Sequence, residues 1–185
     1  MIVAPFRVVL DANVLFPFTL RDTLLRAALA GLFQVYWSDE ILTETTRNLV
    51  ATGTTTSEQA TRLRTVMERA FPAAMVTGYE GLISAMHNDE KDRHVVAAAV
   101  KAGAQVIVTS NLKDFDPLPD GIEAQSPDQF LCHVFDLDPD DVVGLLEAQA
   151  SALKRPERTF DELVSGLAKT VPNFAAAVRA HVDTS

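Results

Sequence analysis

Short apolar runs alternate with stretches of helical periodicity along the first 135 residues. The apolar runs lie at 6–10, 33–37, 74–76, 106–109 and 122–124, and the clearest of them reads Val-Ile-Val-Thr. Runs of this length bounded by turn-forming residues indicate strands, and apolar residues three or four positions apart between them indicate helices. Strands that alternate with helices predict an α/β fold, in which helices cover both faces of a central parallel sheet to give three α/β/α layers.

Capping signals define where several of the predicted helices begin and end. Residues 56–59, 126–129 and 159–162 each have the form of a capping box, and Ser38 stands where an N-cap is needed before a helix at 40–50. Gly31 lies at a position where a helix commonly ends in a left-handed residue. The most apolar helix is predicted from Asp92 to Gly103, and its run of Val and Ala indicates burial on most sides.

The composition changes after residue 135. Four aspartates at 136, 138, 140 and 141 precede a helix with Val142, Leu146, Gln149 and Leu153 on one face. We interpret these aspartates as helix N-terminal charges rather than as a metal site. Prolines at 156 and 172 separate further helices, the last carrying Phe174, Val178 and Val182. The chain is therefore predicted to consist of a domain at 1–135 and a helical C-terminal extension at 136–185.

Charge and cysteine content narrow the class of protein. Sixteen basic and twenty-five acidic residues give a net charge of −9, which argues against nucleic-acid binding through a broadly basic surface. Any such contact must be local. Cys132 is the only cysteine, so an intramolecular disulfide is excluded and a reducing compartment is favoured. The N-terminus lacks the features of a leader, and no apolar run approaches the roughly 20 residues that span a bilayer, so we expect a cytoplasmic protein with no membrane association.

The candidate chemistry is carried by carboxylates. Asp11 directly follows the first predicted strand, Asp92 opens the apolar helix, Asp114 follows the strand at 106–109, and Glu44 lies in the helix after Ser38. Polar residues beyond the carboxyl ends of parallel strands converge at one edge of the sheet. Converging carboxylates repel one another unless a cation neutralises them, and carboxylate oxygens are the ligands preferred by Mg²⁺ and Mn²⁺. The pattern predicts a divalent-metal site.

Four motifs make the sequence recognisable. They read VLDANV at 9–14, SDEILTE at 38–44, DRH at 92–94 and VTSNLKDF at 108–115. In this order and spacing they resemble the PIN-domain nucleases, close to the bacterial toxins of VapC type, over residues 6 to 135. The resemblance implies a metal-dependent endoribonuclease that hydrolyses RNA phosphodiester bonds as the toxin of a type II toxin-antitoxin pair. It also implies a small antitoxin partner and, in many members, a homodimer.

The resemblance assigns roles to eight residues of this chain. The acidic quartet that would hold the metal and act in catalysis is Asp11, Glu44, Asp92 and Asp114. Thr109 and Asn111 would support the quartet by hydrogen bonds, while Asn13 and Ser38 would shape the loops around it. One or two metal ions are compatible with this set.

Neighbouring acids leave the assignment open at three positions. Glu40 lies one helical turn before Glu44, and Asp116 lies two residues after Asp114. Asp89 and Glu90 are close to Asp92 as well. We favour Asp92 over both because it directly precedes the apolar helix, whose backbone N–H groups are expected to fix its geometry.

Other side chains near these motifs are interpreted more simply. Five basic residues are close in sequence to the proposed site and are candidates to hold flanking phosphates: Arg21, Arg47, Lys91, Arg93 and Lys113. Trp37 and Phe115 are interpreted as core residues. The four histidines show no metal-ligand spacing, and none is assigned a catalytic role.

Two other functions compete with the nuclease. An aspartate-nucleophile phosphatase or a phosphoacceptor domain also places an aspartate after strand one, but the sequence Asp11-Ala12-Asn13 lacks the adjacent acid such phosphatases need. A PIN fold retained as a silent RNA-binding or scaffold module is the second alternative. The extension after 136 is expected either to pack on the core or to provide a dimer or antitoxin surface.

Overall fold

A computed structural model describes residues 6–184, which form a five-stranded parallel sheet. The order across the sheet is β3-β2-β1-β4-β5, so the first strand lies at its centre. The strands are β1 Arg7–Leu10, β2 Gln34–Ser38, β3 Met75–Val76, β4 Val106–Val108 and β5 Glu123–Gln125. Each predicted strand is therefore present and the predicted parallel sheet is confirmed, with the short strands β3 and β5 at its two edges.

Helices account for most of the remaining chain. They are α1 Ala12–Leu15, α2 Phe18–Leu29, α3 Asp39–Ala51, α4 Ser57–Ala70, α5 Arg93–Ala102, α6 Pro127–Leu137, α7 Pro139–Ala152, α8 Phe160–Leu167 and α9 Pro172–Thr184. All three capping boxes form, at the starts of α4, α6 and α8. The Ser38 side chain accepts a hydrogen bond from the backbone N–H of Ile41 at 3.2 Å, as an N-cap should.

The central strands are buried on both faces. Val8, Val9 and Leu10 are all fully buried although successive strand residues point to opposite sides of a sheet. Helices must therefore cover both sides, which confirms the three-layer α/β/α arrangement. The apolar helix α5 packs across β1, β2, β3 and β4, and Gly103 ends it in the left-handed region at φ 64°.

The C-terminal helices pack onto the α/β core. On α2 the Thr23 hydroxyl donates a 2.9 Å hydrogen bond to the side-chain oxygen of Gln149 on α7, and both side chains are buried. The carboxylate of Asp128 on α6 accepts hydrogen bonds from the backbone N–H groups of Asn173 and Phe174 at the start of α9. Val182, predicted to share the apolar face of the last helix, is instead exposed and lies in its final turn.

Two short 3-10 segments precede α5. They span Glu80–Ala85 and Glu90–Asp92, and the sequence pattern did not indicate them. Residues 1–5, on which the prediction of a missing leader depends, lie outside the described residues. Within residues 6–184, no helix is both long enough and apolar enough to cross a bilayer.

Candidate active site

Asp11 lies at the carboxyl end of the central strand, where the chain turns into α1. Its backbone N–H still continues the sheet, donating to the carbonyl oxygen of Val108 at 3.1 Å. Its side chain caps α1, accepting a 2.8 Å hydrogen bond from the backbone N–H of Ala12. Only 4% of the residue is exposed. The carboxylate is therefore held between the sheet and the first helix with little access to water.

A polar network from the neighbouring strand fixes the second oxygen of Asp11. The Thr109 hydroxyl donates to this oxygen at 2.8 Å, and the Asn13 side-chain amide donates to it at 2.9 Å. Asn13 in turn accepts from the backbone N–H of Ser110 at 3.0 Å, and the backbone N–H of Asn111 donates to the Thr109 hydroxyl at 3.1 Å. The supporting positions Asn13 and Thr109 thus bind Asp11 directly, because parallel pairing of β1 with β4 brings their ends together.

Burial and negative charge act together on Asp11. The pKa of the Asp11 carboxyl is raised to about 6, mainly by burial and to a smaller extent by the nearby charges of Asp92 and Glu44, against the lowering effect of the Thr109 and Ala12 hydrogen bonds. The ionised carboxylate is thus unfavourable in the absence of a positive partner. A cation near Asp11 would remove that penalty.

Glu44 and Asp92 line a shared cavity of about 600 Å³. Glu44 lies half-buried in α3, one turn and a half from its start, and Asp92 lies half-buried directly before α5. Burial raises the pKa of Asp92, and the charges of Asp114, Asp89 and Glu44 raise it further, while Lys91 lowers it. Acidic side chains dominate the cavity lining, which consists of Asp39, Glu40, Thr43, Glu44, Arg47, Tyr79, Glu80, Lys91, Asp92 and His94.

The expected geometry of Asp92 is wrong. Its side chain makes no capping hydrogen bond to α5, because the 3-10 turn Glu90–Asp92 intervenes and gives Asp92 a φ of −105° and a ψ of 2°. Asp89 caps that turn instead, accepting from the backbone N–H of Lys91 at 3.2 Å. The carboxylate of Asp92 therefore faces the cavity without a backbone partner on α5.

Asp114 has two partners of its own. One carboxylate oxygen accepts from the side-chain amide of Asn111, as expected for a supporting residue, and lies 3.1 Å from the Lys91 ammonium. The Lys91 contact holds the pKa of Asp114 below its ordinary value, and the Asn111 hydrogen bond acts in the same direction. Asp114 lies outside the residues that line the cavity, although its charge acts on Asp92.

The structure separates the neighbouring acids by their surroundings. Glu40 lines the same cavity as Glu44 but is exposed, with one oxygen 3.7 Å from Nδ1 of the buried His94. The charges that raise the pKa of Asp11 and Asp92 include Glu44. Asp116 is exposed, directly before a proline. Of these acids, Glu44 and Asp114 are half-buried, whereas Glu40 and Asp116 are exposed.

Two residues of the cavity were not anticipated from the sequence. His94 is buried in the wall, and its Nδ1 has no hydrogen-bond partner within the described residues. Tyr79 is also buried and lines the cavity, and its pKa is raised, mainly by burial, with a hydrogen bond to Ser38, the N-cap of α3, acting in the opposite direction. Tyr79 lies between predicted elements, where no periodicity could have indicated its position.

The basic residues near the site divide into structural and accessible ones. Arg21 is buried and donates to the carbonyl oxygen of Leu15 at 2.7 Å, so its expected role as a phosphate contact is wrong. Arg93 is half-buried and donates to the carbonyl oxygen of Asn88 at 3.1 Å. Arg47, Lys91 and Lys113 remain exposed. The interpretation of Trp37 and Phe115 as core residues is confirmed, since both are buried.

The carboxylates act on one another electrostatically, but they do not form a coordination shell. Across residues 6–184, no three His, Cys, Asp or Glu side chains are grouped in a ready metal-binding arrangement. Two of the four acids are already engaged, Asp11 by three donors and Asp114 by Lys91 and Asn111. The donor set itself, four carboxylates and no thiol, suits a hard divalent cation.

Comparison with known proteins places the chain in a family. The sequence model of the PIN domain matches residues 7–113, more than half of the chain, and that of the VapC50 C-terminal domain matches residues 127–180. A protein of Mycobacterium tuberculosis (strain ATCC 25618 / H37Rv) named "Putative ribonuclease VapC50" is 44% identical over 109 residues. That alignment covers 57% of this chain and 64% of the relative, so the chain spans less than two thirds of the relative's length.

No solved structure gives a significant match to this chain. The two family models and the relative agree with the resemblance carried by the four motifs, which is thereby confirmed for the PIN domain and its VapC-type members. The chain belongs to the PIN domain family.

Proposed function

We propose that this protein is a divalent-metal-dependent endoribonuclease, acting in the cytoplasm as the toxin of a VapC-type toxin-antitoxin pair. The observation that carries the proposal is the buried carboxylate of Asp11, whose pKa is raised to about 6 beside two further acids. A fold maintained only as a scaffold gains nothing from this arrangement, because the ionised carboxylates destabilise it. The name of the mycobacterial relative supports ribonuclease activity as the function to test.

Asp11 and Asp92 are the principal ligands in this proposal, with Glu44 and Asp114 completing the site directly or through water. Mg²⁺ or Mn²⁺ bound there supplies a water of lowered pKa and positive charge beside the scissile phosphate. Thr109 and Asn13 hold Asp11 in one orientation through hydrogen bonds of 2.8 and 2.9 Å. The protein's contribution is therefore a fixed carboxylate at the sheet end and two more carried by α3 and the start of α5.

Substrate contact is expected to be local because the chain carries a net charge of −9. Arg47 lines both the acidic cavity and the neighbouring groove between α3 and α4, so it can contact a phosphate one step from the scissile one. RNA would then run from the carboxylates along α3. A small antitoxin and a homodimer remain part of the proposal by family likeness alone.

The test is cleavage of a mixed pool of structured and unstructured RNA by the full chain in Mg²⁺, in Mn²⁺ and in EDTA. Asp11→Ala and Asp92→Asn are expected to abolish cleavage that wild type shows only with metal. Asp116→Ala is the matched control, since it removes an exposed aspartate near Asp114 and should retain activity. Activity that persists in EDTA would contradict the metal requirement.

A paired comparison at α3 tests which glutamate acts. Glu44→Gln is expected to reduce cleavage strongly, and Glu40→Gln is expected to change it little. RNA binding without cleavage under every metal condition, by a protein with intact folding, would instead support a silent RNA-binding module. Size measurement of the protein in solution tests the dimer, and the same measurement after co-expression with a small protein encoded beside it tests the antitoxin.

A further inference from the structure

Lys91 and Asp114 form an ion pair at the edge of the carboxylate cluster. The ammonium of Lys91 lies 3.1 Å from a carboxylate oxygen of Asp114, whose side chain is only 12% exposed, while that of Lys91 is 68% exposed. Asp114 is therefore a largely buried partner, and the exposed Lys91 side chain contacts it from the solvent side. The Lys91 side chain can move away from Asp114 without disturbing the core.

The backbone holds the two residues in register. The backbone N–H of Asp89 donates to the carbonyl oxygen of Asp114 at 3.1 Å, and the Asn88 side-chain amide donates to the same oxygen at 3.3 Å. Asp89 also caps the turn that carries Lys91, accepting from its backbone N–H. The 88–92 segment and the 3-10 turn Leu112–Phe115 are thus joined, so the approach of Lys91 to Asp114 is built into the fold.

The positive charge of Lys91 acts on both Asp114 and Asp92. It favours the ionised forms of Asp114 and Asp92, so it partly supplies the positive charge that the cluster lacks. A divalent cation bound by Asp92 and Asp114 would have to share or replace this ammonium, because both positive charges seek the same carboxylate oxygens.

We propose that Lys91 is an internal counter-cation that occupies Asp114 and competes with the divalent metal for it. This inference rests on the proposed metal-dependent function and adds a residue that sets the metal affinity. Metal entry displaces the ammonium from Asp114, and the released side chain, still on the turn beside Asp92, is then free to contact a substrate phosphate. Lys91 thus acts on the metal through Asp114 and is not itself a metal ligand.

The test measures binding of Mn²⁺ alone to the full chain, by the loss of the free-ion signal in electron paramagnetic resonance. Lys91→Met is expected to bind Mn²⁺ about five- to tenfold more tightly, the scale of one competing charge at a partly exposed pair. Lys91→Arg keeps the cation and should bind as wild type does. Lys113→Met is the matched control, since Lys113 acts on Asp114 only through its longer-range charge, and its effect should stay below about twofold.

A double-mutant cycle distinguishes competition for the Asp114 carboxylate from a long-range electrostatic effect of the Lys91 charge. In the Asp114→Asn background the increase in Mn²⁺ affinity from Lys91→Met should disappear, because the carboxylate for which Lys91 and the metal compete is absent. An equal gain with and without Asp114, or equal gains from Lys91→Met and Lys113→Met, would overturn the proposal. Failure of wild type and every variant to bind Mn²⁺ would overturn the metal-dependent function and this inference together, whereas binding by wild type with no change in Lys91→Met overturns the inference alone.

Discussion

The Thr109 hydroxyl donates a 2.8 Å hydrogen bond to the Asp11 carboxylate from the adjacent strand end. Both side chains are buried, so the bond joins β1 and β4 at the point where the proposed chemistry takes place. A buried carboxylate that loses such a donor is left both less oriented and less well solvated.

Replacement of Thr109 by Val is therefore expected to lower the free energy of unfolding at pH 7 by about 1–3 kcal/mol, the range for a hydrogen bond to a charged buried group. Thr109→Ser keeps the hydroxyl and should lose less. Urea unfolding of the three proteins measures the difference. A larger loss in the Ser variant than in the Val variant would show that the methyl group, rather than the donor, matters.

The raised pKa of Asp11 makes the stability of the metal-free protein depend on pH. Because the pKa is about 6 in the fold and 3.8 ordinarily, the folded state binds the proton more tightly, and the resulting stability is full below pH 3.8 and is lost as pH rises through 6. The change corresponds to about 3 kcal/mol at most. Asp11→Asn should lack this loss.

The measurement is urea unfolding in EDTA between pH 4 and pH 7.5, read as the difference between Asp11→Asn and wild type. We expect the free energy of unfolding of the variant, relative to wild type, to increase as the pH rises across this range. Effects of the substitution that do not depend on pH cancel in this comparison. Mn²⁺ should stabilise wild type at pH 7.5 and have little effect on the variant. Parallel curves in EDTA would contradict the shift.

Asp89 and Asp92 are expected to have opposite roles although they are three residues apart. Asp89→Ala removes the cap of the 90–92 turn and should cost about 0.5–2 kcal/mol of stability, with cleavage largely retained. Asp92→Asn removes no cap and should leave stability within about 0.5 kcal/mol, with cleavage abolished. Unfolding and cleavage assays on both variants decide. The reverse pattern would return the helix-capping role to Asp92.

The buried pair Thr23 and Gln149 tests how tightly α7 is joined to the core. Thr23→Val leaves the Gln149 oxygen without this donor and is expected to cost about 1–3 kcal/mol. Combining it with Gln149→Leu removes one more unsatisfied group and should recover part of that loss. Unfolding should remain a single transition followed by both fluorescence and circular dichroism. Separate transitions would mean that the extension unfolds by itself.

Local signals accounted for most of the fold. The three capping boxes formed because each depends on side chains and backbone groups within four residues of one another. The strands were predictable because a sheet buried on both faces requires continuous apolar runs. Parallel pairing of the strands explains why Asp11 and Thr109 lie together, since the carboxyl ends of parallel strands meet at one edge of the sheet.

What could not be predicted depends on contacts between distant segments. The pairing of Lys91 with Asp114 requires the 88–92 segment to lie against the turn at 112–115, which no periodicity encodes. Burial of Arg21 depends on carbonyl groups exposed by the short α1 helix. Asp89 has the capping role because a 3-10 turn precedes α5. An aspartate before an apolar run does not show whether the helix begins directly after it or follows such a turn. The assignment of the eight site residues and the boundary at 135/136 remain predictions.

The sheet ends in a two-residue strand, Met75–Val76, on one side and a three-residue strand, Glu123–Gln125, on the other. Unpaired backbone groups on an outer strand are a template on which another chain can add, and the hazard grows with the length of the strand. These edges offer only a few such groups, and one begins with an exposed glutamate. Continuous self-assembly through the sheet is thereby disfavoured.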